Sequence, residues 1–235
     1  MPDGRLVAWW FNFDPAGAQA WFDSVGVING TPAVINVVHT QGARFIPNFN
    51  SAEAVNTPIG TLSFSFSACD RGRVDFALDS TFGTGSMNLT RLTAPLGVAC
   101  AATPATMAAG LKSLGIAQGW RADFSPLVGP VILKASEPTV GPIAGLTGVW
   151  FDPAQAGQGL FVENLGNGSV LGWWFTFGPN GGQAWFGGLG TILDGNRARI
   201  EFTRTSGGRW IPNFDPAAVA NPAIGPVTLT FSNCS

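Results

Sequence analysis

Charge is scarce in this chain, and the side chains that most often carry catalysis are scarcer still. Asp, Glu, Lys and Arg make up 11% of its 235 residues, against about 25% in an ordinary globular domain. Of twelve basic residues only Lys112 and Lys134 are lysines, and net charge is −2. With no basic cluster, a phosphate-tracking surface for nucleic acid is excluded. The single histidine is His39, in the Val-rich stretch INVVHT. A Ser-His-Asp triad or a multi-His metal site would rest on that one unrepeated residue, so it reads as a strand histidine. The three cysteines show neither Cys-x-x-Cys nor Cys/His spacing, which removes the usual zinc patterns. No apolar run reaches membrane-helix length. The opening Met1-Pro2-Asp3-Gly4 is not the pattern of a signal peptide. Tyrosine is absent, yet there are 18 Phe, 9 Trp, 32 Gly and 17 Pro. Many turn residues among aromatic and β-branched ones predict an all-β protein, not a disordered one.

What is present is a repeat. LVAWWFNFDPAGAQAWF (6–22) returns as VLGWWFTFGPNGGQAWF (170–186), with ten of seventeen positions identical and Trp9 shifted by 164 to Trp173. RFIPNF (44–49) returns as RWIPNF (209–214), and Cys69 as Cys234, both shifted by 165. The extra residue is expected near Ser206–Gly208. A unit this long is a duplicated domain rather than a short solenoid repeat. Turn signals recur with it. Asp3-Gly4 matches Asn167-Gly168, Asn29-Gly30 matches Asp194-Gly195, and Gly42 matches Gly207. Such pairs favour hairpin turns, and their spacing fits an antiparallel meander.

Alternation predicts that Val7, Trp9, Phe11 and Phe13, like Leu171, Trp173, Phe175 and Phe177, face the core. The opposite face then carries Ala8, Trp10 and Asn12. The fold expected is two homologous antiparallel meander modules, each a barrel or curled sheet of about eight strands when whole. Copy one spans residues 1–100 and copy two 148–235, joined by a linker (101–147) with little regular structure. GVWFDPAQAGQGLFVE (148–163) has no match ahead of copy one, and RVDFALDSTFGTGSMNLTRLT (73–93) has none after copy two. The expectation is a fragment of a longer repeat protein, with each module truncated at one end. Each would then leave an edge open to strand pairing with missing segments or another copy.

Cys69 and Cys100 flank the last hairpin of copy one, and Cys234 is the counterpart of Cys69. A Cys69–Cys100 disulfide is expected, worth about 3–4 kcal/mol for a loop of this size, and it implies the periplasm or the outside of the cell. Three buried free thiols are the alternative.

No pair of carboxylates recurs that would serve glycoside hydrolysis, and Gly157-Gln158-Gly159 lacks the strand–turn–helix setting of a dinucleotide site. No cofactor or catalytic residue is nominated. What both copies keep is aromatic and neutral-polar: Trp10/Trp174, Gln19/Gln183, Trp21/Trp185, Arg44/Arg209 and Asn48/Asn213. Adjacent strand residues point to opposite faces, so Trp9 and Trp10 cannot fill the same core. Trp beside amides and Arg suits a sugar, whose C–H face stacks on the ring. The candidate ligand-binding set is therefore Trp10, Asn12, Gln19, Arg44, Asn48, Trp174, Gln183, Arg209 and Asn213. The competing reading has Trp10 and Trp174 covered by the linker or the opposite module.

GVWFDPAQAGQGLFVE, LGWWFTFGPNGGQAWFGGLG and RWIPNFDP resemble a tandem Trp/Gly-rich repeat of secreted bacterial proteins of uncharacterised function. That resemblance covers both copies and carries over no functional residues. A second, weaker similarity is to calycin-type barrels (lipocalins, avidins), which open on Gly-x-Trp, as Gly148-Val149-Trp150 does here. Their late-strand Arg would be Arg91, although Arg91 and Trp150 belong to different copies. The function expected is a non-catalytic extracytoplasmic module that binds carbohydrate or another small ligand. The alternative is a structural or adhesive surface repeat without one.

Overall fold

A computed structural model describes residues 5–28, 30–93 and 146–231. It is all-β. Copy one contains β1 (Arg5–Phe13), β2 (Gln19–Val27), β3 (Ala33–Gln41), β4 (Val55–Ala68), β5 (Arg71–Leu78) and β6 (Thr84–Thr90). Copy two contains β7 (Gly148–Trp150), β8 (Gly159–Asn164), β9 (Ser169–Phe177), β10 (Gln183–Asp194), β11 (Arg197–Arg204) and β12 (Ala223–Thr230). Each set forms a six-stranded antiparallel sheet in chain order. The linker, Asn29, Cys100 and Cys234 lie outside the described residues.

The duplication is visible strand by strand. β1 to β4 correspond to β9 to β12, while among the described residues β5 and β6 are found only in the first sheet and β7 and β8 only in the second. A register shift between Val37 and Val38 is matched by one between Phe202 and Thr203. Opposite each stands a glycine at positive φ, Gly60 (142°) and Gly225 (118°), where a side chain would be strained. Thr40 Oγ1 donates to Asn56 Oδ1 at 2.7 Å, and Thr205 Oγ1 to Asn221 Oδ1 at 2.7 Å. These pairs stand 165 apart, so the extra residue of copy two precedes Thr205. It is Leu193, in a bulge between Ile192 and Asp194 of the β10–β11 hairpin. The expectation of an insertion near Ser206–Gly208 is corrected accordingly. A bulge absorbs one residue without shifting the strands on either side.

The alternating pattern is right and the expected face does meet a core, but the opposite face, carrying Ala8, Trp10 and Trp174, turns into a core as well. Ala20, Phe22, Ile35, Val37, Leu62, Val74 and Phe76 pack inside copy one, joined by Leu6, Ala8 and Trp10. Val162, Val170, Ala198, Ile200 and Phe202 pack inside copy two, joined by Trp174 and Phe186. Trp10 on β1 lies 5.3 Å from Phe76 on β5, and Trp150 on β7 lies 5.3 Å from Phe231 just after β12. Contacts between strands so far apart in order mark curled sheets. Trp9, Phe11, Phe13, Trp173, Phe175 and Phe177 instead form a third core between the modules. Both faces of β1 and β9 are therefore packed on apolar neighbours, which explains the adjacent tryptophans.

Candidate functional site

The residues kept in both copies converge on the seam between the modules. Gln19 and Gln183 begin β2 and β10, where the hairpin return aims each side chain at the opposite module. Gln19 Nε2 donates to the Trp185 carbonyl at 2.7 Å and Oε1 accepts from Trp185 N at 3.4 Å. Gln183 Nε2 donates to the Trp21 carbonyl at 2.7 Å and Oε1 accepts from Trp21 N at 3.0 Å. Each amide thus bonds across the seam as one more peptide unit would. The indoles repeat the exchange: Trp21 Nε1 donates to the Thr176 carbonyl and Trp185 Nε1 to the Asn12 carbonyl, both at 3.0 Å.

Ring contacts obey the same reciprocity. Trp9 stacks on Phe175 with centroids 5.8 Å apart, and Phe11 on Trp173 at 5.1 Å. Trp21 meets Phe177 at 5.9 Å and Trp185 meets Phe13 at 5.8 Å. A surface on which i meets j′ while j meets i′ is isologous, so the modules are related by a pseudo-two-fold axis.

Each copy also lends its Arg-x-Ile-Pro-Asn-Phe loop to the other. Trp210 enters the core of copy one, 5% exposed, against Trp10 (4.9 Å), Phe82 (5.1 Å), Phe76 (5.6 Å) and Phe22 (5.9 Å). Its Nε1 donates to the Phe82 carbonyl at 2.7 Å, so no buried donor is wasted. Phe45 makes the return contact, 5.3 Å from Trp174. The glycines entering the loops, Gly42 and Gly207, have φ of 96° and 83°, and a Cβ would lie 2.3 Å from the Glu53 carbonyl oxygen and 2.0 Å from that of Ala218. Asn50 and Asp215 then cap short 3-10 turns that end the loops.

Titratable groups are few here. His39 Nε2 lies 2.8 Å from Gln183 Oε1, an acceptor, so Nε2 carries the proton. Burial holds its pKa below the ordinary value, opposed by the Gln183 bond and the fields of Asp79 and Asp14. Arg204 holds the matching place in copy two, with Nε 3.3 Å from Gln19 Oε1. Burial raises the Asp23 carboxyl, whose backbone and Thr40 hydrogen bonds oppose the rise. Burial likewise raises Glu163, which accepts from Thr93 Oγ1 at 2.8 and 2.7 Å beside Arg91. Arg91 Nε bonds the Thr93 carbonyl at 2.7 Å, while Trp150 Nε1 donates to the Leu146 carbonyl at 3.0 Å. Among the described residues no group of three His, Cys, Asp or Glu is placed to hold a metal ion, and no helix is long and apolar enough to cross a membrane.

The nine expected ligand-binding residues separate into three groups. Trp10 and Trp174 line the two module cores. Asn12, Gln19 and Gln183 lie in the seam, Asn12 using its side chain to accept from Phe13 N at 2.8 Å. Arg44, Asn48, Arg209 and Asn213 are exposed on the exchanged loops. Cys69 is disulfide-bonded, and its expected partner Cys100 lies outside the described residues. Sequence reasoning did not single out Thr93 or Glu163, which have no partner in the repeat pattern, or Thr176, whose partner Asn12 is a different residue type. No family model matches the chain, and neither does any curated protein or solved structure.

Proposed function

We propose that the chain is a non-catalytic structural or adhesive repeat, working outside the cytoplasm, whose two modules lock together as an isologous pair. One observation carries this reading. The polar side chains that suggested a ligand platform, Gln19 and Gln183, have their amides bonded to the opposite module. The tryptophans that would stack on a sugar are packed against Phe, Trp and the exchanged loops. The disulfide at Cys69 supports an oxidising compartment. Arg44, Asn48, Arg209 and Asn213 are what is left for a carbohydrate.

Glycan-array screening with tryptophan fluorescence tests the proposal. No glycan is expected to give saturable quenching. A glycan that binds, and whose binding is lost in Asn213→Ala or Arg209→Ala, would replace the structural reading with the carbohydrate one. Thiol counting in denaturant tests the compartment argument: one free thiol is expected from a Cys69–Cys100 bridge, and three would remove it.

A further inference from the structure

The two copies differ at one edge, and each supplies the template for reading the other. β9 is paired on both sides, with β10 and with β8. Its counterpart β1 is paired with β2 alone among the described residues. The difference is felt in the cores. Val170 and Leu171 on β9 are 0% and 5% exposed, whereas their counterparts Leu6 and Val7 are only half-buried. Val162 of β8, fully buried, closes the core of copy two over this position.

We infer that the β1 edge, from Leu6 to Phe11, is a docking lane for a hairpin of the β7–β8 type supplied by another polypeptide. The pairing of β8 on β9 sets the register. Leu160 lies opposite Trp174, Phe161 opposite Trp173, Val162 opposite Gly172 and Asn164 opposite Val170. Shifted to copy one, the incoming Leu pairs with Trp10, the Phe with Trp9, the Val with Ala8 and the Asn with Leu6. The incoming Leu and Val then cover Trp10 and Ala8 on the core side, as Leu160 and Val162 stand opposite Trp174 and Gly172 in copy two. The edge supplies main-chain hydrogen bonds and the core supplies selection for apolar residues at alternate positions. A second anchor follows from the pseudo-two-fold. A Cβ on Gly157, in the β7–β8 loop, would lie 3.2 Å from Ala54 and 3.8 Å from Thr40 of the opposite module. A docked hairpin would set its loop on Val219 and Thr205, their counterparts. The docking lane is the main-chain edge of β1, whereas the locking of the two modules uses the rings of Trp9 and Phe11 against β9 together with β2, β10 and the exchanged loops.

A synthetic peptide with the sequence of residues 146–165 (LTGVWFDPAQAGQGLFVENL), labelled at its amino end, is titrated with the whole chain. Fluorescence anisotropy should saturate with a Kd on the order of 10 μM, a strength usual for single-strand addition. Hydrogen exchange should slow within Leu6–Phe11 and nowhere on β9. A peptide carrying Val162→Asp should bind at least about tenfold more weakly, because it brings a charge to an apolar position. Four results would overturn the inference: no saturation up to about 1 mM on the same scale, protection on β9 with release of the chain's own β8, equal binding by the Val162→Asp peptide, or a β1 edge already protected before peptide is added.

Discussion

Copy one and copy two answer the same packing problem with rings of different size. Copy one receives Trp210, deeply buried and touching four aromatic neighbours. Copy two receives Phe45, half-buried beside Trp174. The entry residues compensate in the opposite sense. Gly208 precedes the larger plug, and a Cβ there would fall 2.2 Å from the Phe13 ring. Its counterpart Ala43 is fully buried in the shared core with its methyl in place. Asp23 and Gly187 differ in the same way: a Cβ on Gly187 would lie 2.6 Å from Trp173, so that indole lies directly over the backbone. The duplicated frame has been held constant while its contacts diverged, and a reciprocal seam tolerates this because each side adjusts only what it touches.

The sharpest way to break this comparison is to remove the plugs. Trp210→Ala should cost about 3–5 kcal/mol, read from denaturant midpoints at constant slope, and Phe45→Ala less than half as much. Equal losses would show that the two cores depend on their borrowed rings alike. The Gln pair tests the symmetry itself. Gln19→Ala and Gln183→Ala should each cost about 1–3 kcal/mol by stranding buried groups of the partner tryptophan. A large loss for one and none for the other would refute the pseudo-two-fold as an energetic fact. Gly208→Ala should cost about 1–3 kcal/mol through overpacking, whereas Ala43→Gly should cost about 1 kcal/mol for a lost buried methyl and added chain freedom.

The smallest effect is the pH response that sets His39 apart from Arg204. The folded pKa of His39 lies below 6.5, so the unfolded chain takes up its proton first. Stability therefore falls as pH drops from 6.5 to the folded value. Asp23 and Glu163, raised above 3.8 and 4.5, act in the opposite sense, adding stability as pH falls from their folded values to those ordinary ones. The difference between wild type and His39→Gln isolates the imidazole. The variant should lose less stability between pH 7 and pH 6, by under about 1 kcal/mol. A midpoint at or above 6.5 for His39 in NMR titration would contradict its burial.

The strands, their alternation and the duplication were legible because hairpin signals and period-two patterning are local. Legibility stopped where contacts cross more than a hundred residues. Alternation separates Trp9 from Trp10, yet it does not say which indole looks inward, because both faces of β1 are apolar enough to be a core. Gln19 and Gln183 stood out as kept in both copies. An amide beside tryptophan has the same signature whether it bonds a sugar hydroxyl or a main-chain peptide. The exchange of Phe45 and Trp210 had no local sign at all, since an Ile-Pro loop carrying an aromatic ring reads the same in whichever module it ends up. The extra residue was misplaced because Gly207-Gly208 looks like an insertion, while Leu193 hides inside a well-formed hairpin.

A half-turn that carries a surface onto itself also uses that surface up. Once Gln19 and Gln183 have clasped, no third copy can join by the same contacts. Repeats strung along a polypeptide would therefore have to be counted in twos, and any longer fibre would have to grow through its strand margins rather than through its clasp.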